Sequence, residues 1–187
     1  MIFSPVKGER AVDCLLKGGV IGYPTEAVYG LGCTADQPDA IEQVIYAKRR
    51  DARKGLIVVV SALEQVKQVV SPRQYAQIIQ HPPQHWPGPF TYILDASPNC
   101  SRQLTGGRST IAVRWSKHPV VRYLCDRVGP IVSTSANISG RDACRTFHDT
   151  HRYFSSYVDF ILPGPVNKLA SPSTIIDYKT GQTIRPG

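Results

Sequence analysis

Short apolar runs ending at Gly, Pro or Ser/Asn clusters alternate along this chain with stretches of helical period, and that alternation restricts it to the α/β class. The runs at residues 19–23, 56–60, 90–96, 110–115, 130–134, 158–162, 174–178 and 182–185 predict strands. The spacing predicts helices over 9–17, 38–48, 62–70, 72–80, 119–127 and 147–156. Several of these strands follow one another too closely for helical crossovers, so the expected sheet is mixed, with parallel and antiparallel pairs. At 187 residues the chain suits one domain spanning 1–187 better than two.

The clearest helix signal is at 38–48. Asp36 is placed to cap it and Pro38 to start it. Ile41, Val44, Ile45 and Lys48 then share one face, which predicts a Lys48 stem lying along the core with its ammonium emerging at the helix end. A lysine placed there only to complement the helix dipole reads the same way.

Beyond this helix lies Lys48-Arg49-Arg50-Asp51-Ala52-Arg53-Lys54-Gly55, five cations in seven residues. Charge alone leaves two readings, a solvated loop or an anion site. The position between a helix end and the apolar run 56–60 is one where α/β proteins commonly bind ligands. A second polar cluster, Ser133-Thr134-Ser135-Ala136-Asn137-Ile138-Ser139-Gly140, follows Ile131-Val132. As a turn after a strand it offers hydroxyl, amide and backbone donors that suit phosphate oxygens, and it equally fits an ordinary capped turn. In Thr110-Ile111-Ala112-Val113-Arg114, the period of two puts Thr110, Ala112 and Arg114 on one face. Such an arginine either pairs with a core carboxylate or meets a ligand carboxylate, and Arg185 poses the same question.

Much is excluded. No GxxxxGK[ST], GxGxxG or kinase set is present, and Gly30-Leu31-Gly32 reads as a tight turn after a strand. HExxH and GxSxG are missing too. Five cysteines, odd in number and without CxxC, read as reduced thiols packed as small apolar groups in a reducing compartment. Cys144, His148 and His151 approach metal-ligand spacing without a fourth ligand, so no metal site is expected. No run nears the ~20 apolar residues of a membrane span, and nothing resembles a signal peptide, so a cytoplasmic protein without membrane contact is expected. Lys and Arg outnumber Asp and Glu by 22 to 14, a formal charge of +8 that suggests a polyanionic partner, nucleotide or nucleic acid.

Together these segments resemble the YrdC/TsaC family, which makes threonylcarbamoyl-adenylate for the t6A modification of transfer RNA. The resemblance rests on Tyr23-Pro24-Thr25-Glu26-Ala27-Val28-Tyr29-Gly30-Leu31-Gly32, Lys48-Arg49-Arg50, Lys54-Gly55-Leu56-Ile57 and Trp86-Pro87-Gly88-Pro89. It continues through Thr110 to Arg114, His118-Pro119, Ser133 to Gly140 and Arg185-Pro186-Gly187, in the family's order and across nearly the whole chain. It looks like the short, single-domain form, and it implies a twisted mixed sheet with flanking helices and a large basic groove. It further implies a nucleotidyl transfer that joins L-threonine, bicarbonate or CO2, and ATP with Mg2+, and releases pyrophosphate. Lys48 and Arg50 match the family's KxR, and Ser135 and Asn137 its SxN, which line the ATP-phosphate end. Lys54, Thr110 and Arg185 are implied as further ATP contacts. Arg114 matches the arginine that holds the threonine carboxylate, with Thr25, Ser133 and Ser173 as further threonine contacts. Val59 sits near a position where longer relatives have a histidine. Downstream t6A transferase proteins and weak RNA binding are implied as partners. Two rival functions remain open on sequence: an RNA-binding module using the same groove without catalysis, and an ATP-binding regulator.

Overall fold

The computed structural model describes residues 3–166 and 172–187. The first half contains α1 (Pro5–Leu16), β1 (Ile21–Pro24), β2 (Tyr29–Gly32), α2 (Pro38–Ala47), β3 (Ile57–Val60), α3 (Leu63–Val66) and α4 (Pro72–Gln80). The second contains β4 (Phe90–Asp95), α5 (Arg102–Thr105), β5 (Thr110–Trp115), α6 (Pro119–Val128), β6 (Ile131–Ser135), α7 (Phe147–Phe154), β7 (Phe160–Ile161), β8 (Thr174–Asp177) and β9 (Thr183–Arg185). Among the described residues the strands run in the order β7-β1-β2-β6-β3-β5-β4-β8-β9. The sheet is mixed, as the short connections required: β3 pairs β5 in parallel but β6 antiparallel, and β4 pairs β8 in parallel but β5 antiparallel.

Side-chain alternation makes the sheet a partition between two apolar layers. Val58 and Val60 of β3 join the larger core with Ile41 and Val44 of α2, whereas Val59 joins a second core. That second core is built from Ala11, Val12 and Leu15 of α1 and Val120, Val121 and Leu124 of α6. Burying each of these valine, leucine and isoleucine side chains stabilises the fold by about 1.5–3 kcal/mol.

Several local expectations are corrected. Residues 30–32 form β2 and not a turn. Gly32 is required by close backbone approach, since a Cβ there would lie 2.2 Å from the Val132 carbonyl oxygen. Asp36 does not cap α2. Gln37 occupies the N-cap without a side-chain bond, because with Pro38 at the first turn Asp36 lies one residue too early. The helix expected at 62–70 closes after Val66, and the strand expected at 158–162 shrinks to Phe160–Ile161. Ser133, Thr134 and Ser135 belong to β6, so the polar turn starts only at Ala136.

Candidate anion and amino-acid site

On β6 and β5 the alternation that sends Val132, Ile111 and Val113 into the larger core turns Ser133 and Arg114 to the opposite face. α1 and α6 pack on part of that face. Elsewhere on it lies a cleft of about 380 Å³ whose floor includes Ile57, Val59 and Ser133. Thr25, Arg50, Arg114, Ser135, Asn137, Ser173 and Arg185 also border it. A smaller adjoining space of about 140 Å³ is bordered by Lys54 and Thr110, and Arg50 and Arg185 line both. Every residue that the resemblance implied as an ATP or threonine contact therefore lines one of these two spaces, except Lys48.

Lys48 departs from expectation. It is 2% exposed, and its ammonium turns inward beneath the polar turn instead of emerging. Nζ donates to the carbonyls of Ser135 and of Asn137 (2.9 Å) and to Asn137 Oδ1 (2.8 Å). Ser135 Oγ also donates to Asn137 Oδ1 at 2.6 Å, and the Lys48 carbonyl accepts from Ser139 N–H. The helix face was read correctly, but the chain folds back over the helix end and supplies three acceptors there. Burial, and secondarily the charge of Arg50, pulls the Lys48 pKa down to about 7.

Arg50 is held by the carbonyl of Gly55 through Nε (3.2 Å) and Nη2 (2.9 Å). Gly55 sits at φ 58, where a Cβ would also press on Arg108 and on the Thr105 carbonyl. Burial and the nearby charges of Arg108 and Arg185 lower the Arg50 pKa, a repulsion that a bound anion would relieve. Arg185 donates to the Ser173 carbonyl at 2.9 Å, and the Ser173 hydroxyl pairs with that of Thr91 at 2.8 Å. Arg53, by contrast, pairs with Asp51 in solvent, and Arg49 is exposed.

Arg114 answers the question left open by the sequence with a carboxylate of the chain itself. Its Nη2 donates to Glu26 Oε1 at 2.7 Å and its Nε to the Gly88 carbonyl at 3.1 Å. Glu26, Arg141 and Asp142 were not assigned roles from the sequence, and all three border the cleft. Glu26 lies inside the Tyr23-to-Gly32 motif, but an isolated carboxylate carries no spacing signal, and its partner is 88 residues away. The thiols offer no nucleophile here: burial raises each cysteine pKa, that of Cys33 to about 12.

Fold and site define an α/β protein with a cleft bordered by Arg50, Arg114, Arg141 and Arg185. The chain belongs to the Sua5/YciO/YrdC family, whose model, described as "Telomere recombination", matches residues 13–187. It is 44% identical over 177 residues to a threonylcarbamoyl-AMP synthase of Marinobacter nauticus, covering 94% of this chain and 93% of that one. It is 40% identical over 179 residues to the threonylcarbamoyl-AMP synthase of Coxiella burnetii, covering 94% of each. Among solved structures it superposes on P. abyssi Sua5 complexed with L-threonine with TM-score 0.86 and 31% identity, over 98% of this chain and 55% of that one. It thus spans about half of that longer protein. E. coli YciO shares the fold at TM-score 0.77 and 24% identity, over 99% of this chain and 92% of that one.

Proposed function

We propose that this chain is a threonylcarbamoyl-AMP synthase. It joins L-threonine, bicarbonate or CO2, and ATP carried with Mg2+ into L-threonylcarbamoyladenylate, releases pyrophosphate, and supplies the t6A modification of transfer RNA. The observation that carries this reading is the shared cleft: Arg114, Arg50, Arg185, Ser135 and Asn137 all border one space of about 380 Å³. The names of the relatives above support it.

In the reaction, the neutral threonine amine adds to CO2 and loses a proton, giving a carbamate. A carbamate oxygen then bonds to the α-phosphorus while the bond to the bridging oxygen breaks, and pyrophosphate leaves with that electron pair. Two anions must meet, so repulsion and orientation dominate the barrier, and fixed cations and donors address both. In this reading Arg50, Arg185, Ser135 and Asn137 hold phosphates, and Lys54 and Thr110 extend the nucleotide site into the adjoining space. Arg114 takes the threonine carboxylate by charge-assisted hydrogen bonding, with Thr25, Ser133 and Ser173 around the amino acid. Lys48 acts from beneath, holding the turn that presents Ser135 and Asn137. Residues 1–187 work as one catalytic domain in the cytoplasm and pass the unstable adenylate to downstream t6A transferase proteins.

The test is pyrophosphate release from the purified chain, expected only when ATP, threonine and bicarbonate are all present. Threonine-independent release, or none, would sink the proposal. A non-catalytic RNA module would instead show steeply salt-dependent RNA binding that survives Ser135→Ala.

A further inference from the structure

Arg114 has three nitrogens, and the protein engages two of them. Nε is held by the Gly88 carbonyl and Nη2 by Glu26, while Nη1 has no protein acceptor among the described residues. Both holds are themselves anchored. Glu26 lies in the tight connection between β1 and β2, where Thr25 N–H and Oγ both donate to the Val28 carbonyl, at 3.0 and 2.7 Å. Its Oε1 accepts a second hydrogen bond from Ser116 Oγ at 2.8 Å, and that hydroxyl accepts from His118 N–H at 3.0 Å. Ser116 lies two residues beyond Arg114 on an extended backbone, so both reach the carboxylate from the same side. Gly88 belongs to the proline-rich segment after α4, and its N–H donates to the Trp115 carbonyl at 2.9 Å.

The place of this ion pair argues against a purely stabilising purpose. Glu26 and Arg114 border both the 380 Å³ cleft and a second, open cleft of about 740 Å³. Their side chains keep 27% and 14% of their exposure. Because both side chains are mostly buried the pair also adds to stability, and its place on the walls of two clefts is what sets it apart from a core ion pair. Fixing a guanidinium does have a use, because an arginine gives up considerable rotamer freedom on binding, and a ligand gains affinity when that loss has already been taken.

We propose that Glu26 is a positioning residue for the amino-acid substrate: with Gly88 it fixes two guanidinium nitrogens of Arg114 and leaves Nη1 turned to the incoming carboxylate. The proposal rests on the reading of Arg114 as the carboxylate anchor. Glu26 does not touch the reacting atoms in this role. It sets threonine affinity through Arg114.

Steady-state pyrophosphate release and titration calorimetry with L-threonine, both on the full chain, test this. Glu26→Ala is expected to raise KM and Kd for threonine about tenfold or more, with KM for ATP changing by less than about twofold. Glu26→Gln keeps an oxygen for Nη2 and for the Ser116 hydroxyl, folds as the closer isostere, and is expected to recover most of the lost affinity. Unchanged threonine affinity in Glu26→Ala overturns the proposal, as does an equal loss of ATP affinity. A Glu26→Gln variant whose kcat falls as far as that of Glu26→Ala also overturns it, because a proton acceptor and not a hold on Arg114 behaves that way. Arg114→Ala separates the anchor role of Arg114 from the positioning role of Glu26. If that variant binds threonine like the parent chain, the anchor reading fails and takes the proposal with it. If it loses threonine while Glu26→Ala does not, the positioning role alone fails.

Discussion

Lys48 is the residue whose chemistry the fold changes most. A lysine ordinarily charged at neutral pH is here enclosed with three acceptors, and its pKa falls from 10.5 to about 7. Between those values the unfolded chain holds a proton that the folded chain lacks. This group therefore makes the folded state gain stability as pH rises from about 7 toward 10.5, and level off outside that window. Lys48→Met removes the titration. Urea melts across pH 7 to 10 are expected to show a steeper rise in stability for the parent than for the variant, and parallel curves would disprove the shift. Above pH 7 the neutral amine has one donor fewer for its three acceptors, so the Ser135–Asn137 segment should loosen and KM for ATP rise. In the Met variant that KM should be high throughout.

At the scale of elements, β2 shows how backbone contact can override pattern. Gly32 lies so near the Val132 carbonyl that an added methyl has nowhere to go, and the nearest obstacle is backbone. Gly32→Ala is expected to destabilise the chain by about 1–3 kcal/mol, read as a lower urea midpoint at unchanged slope. A neutral result would mean that β2 and β6 can part without cost. The same strand marks the boundary of what sequence reveals. β3, β4, β5 and β8 were legible within about a residue or two at each end, because apolar alternation and bounding Gly or Pro signal strands regardless of neighbours. β2 was not, since Gly30-Leu31-Gly32 carries no such alternation and its reason for being extended is the strand beside it. α5, four residues long, is too short to display a helical period. The residues around the cleft were legible as a set, through their ordered resemblance to one family. The direction in which Lys48 points and the partner of Arg114 were not, because both depend on chain segments more than 80 residues away.

For the whole molecule, the decisive fact is that the cleft is assembled from distant parts: Thr25 before β2, Arg50 after α2, Arg114 on β5, Ser133 on β6 and Arg185 on β9. No isolated piece of the chain carries it, so ligands should stabilise the entire fold. ATP at about a hundred times its Kd is expected to add about 2.7 kcal/mol to the unfolding free energy, visible as a higher melting temperature. A melt indifferent to saturating ATP would mean that the nucleotide does not bind the folded state. Arg50 and Arg185 border two spaces at once. A ligand that draws on their charge from one side alters what is offered on the other, so under the proposed function the two reactants are expected to be thermodynamically linked through a common wall. Whatever factor the nucleotide imposes on threonine affinity, threonine must impose on the nucleotide.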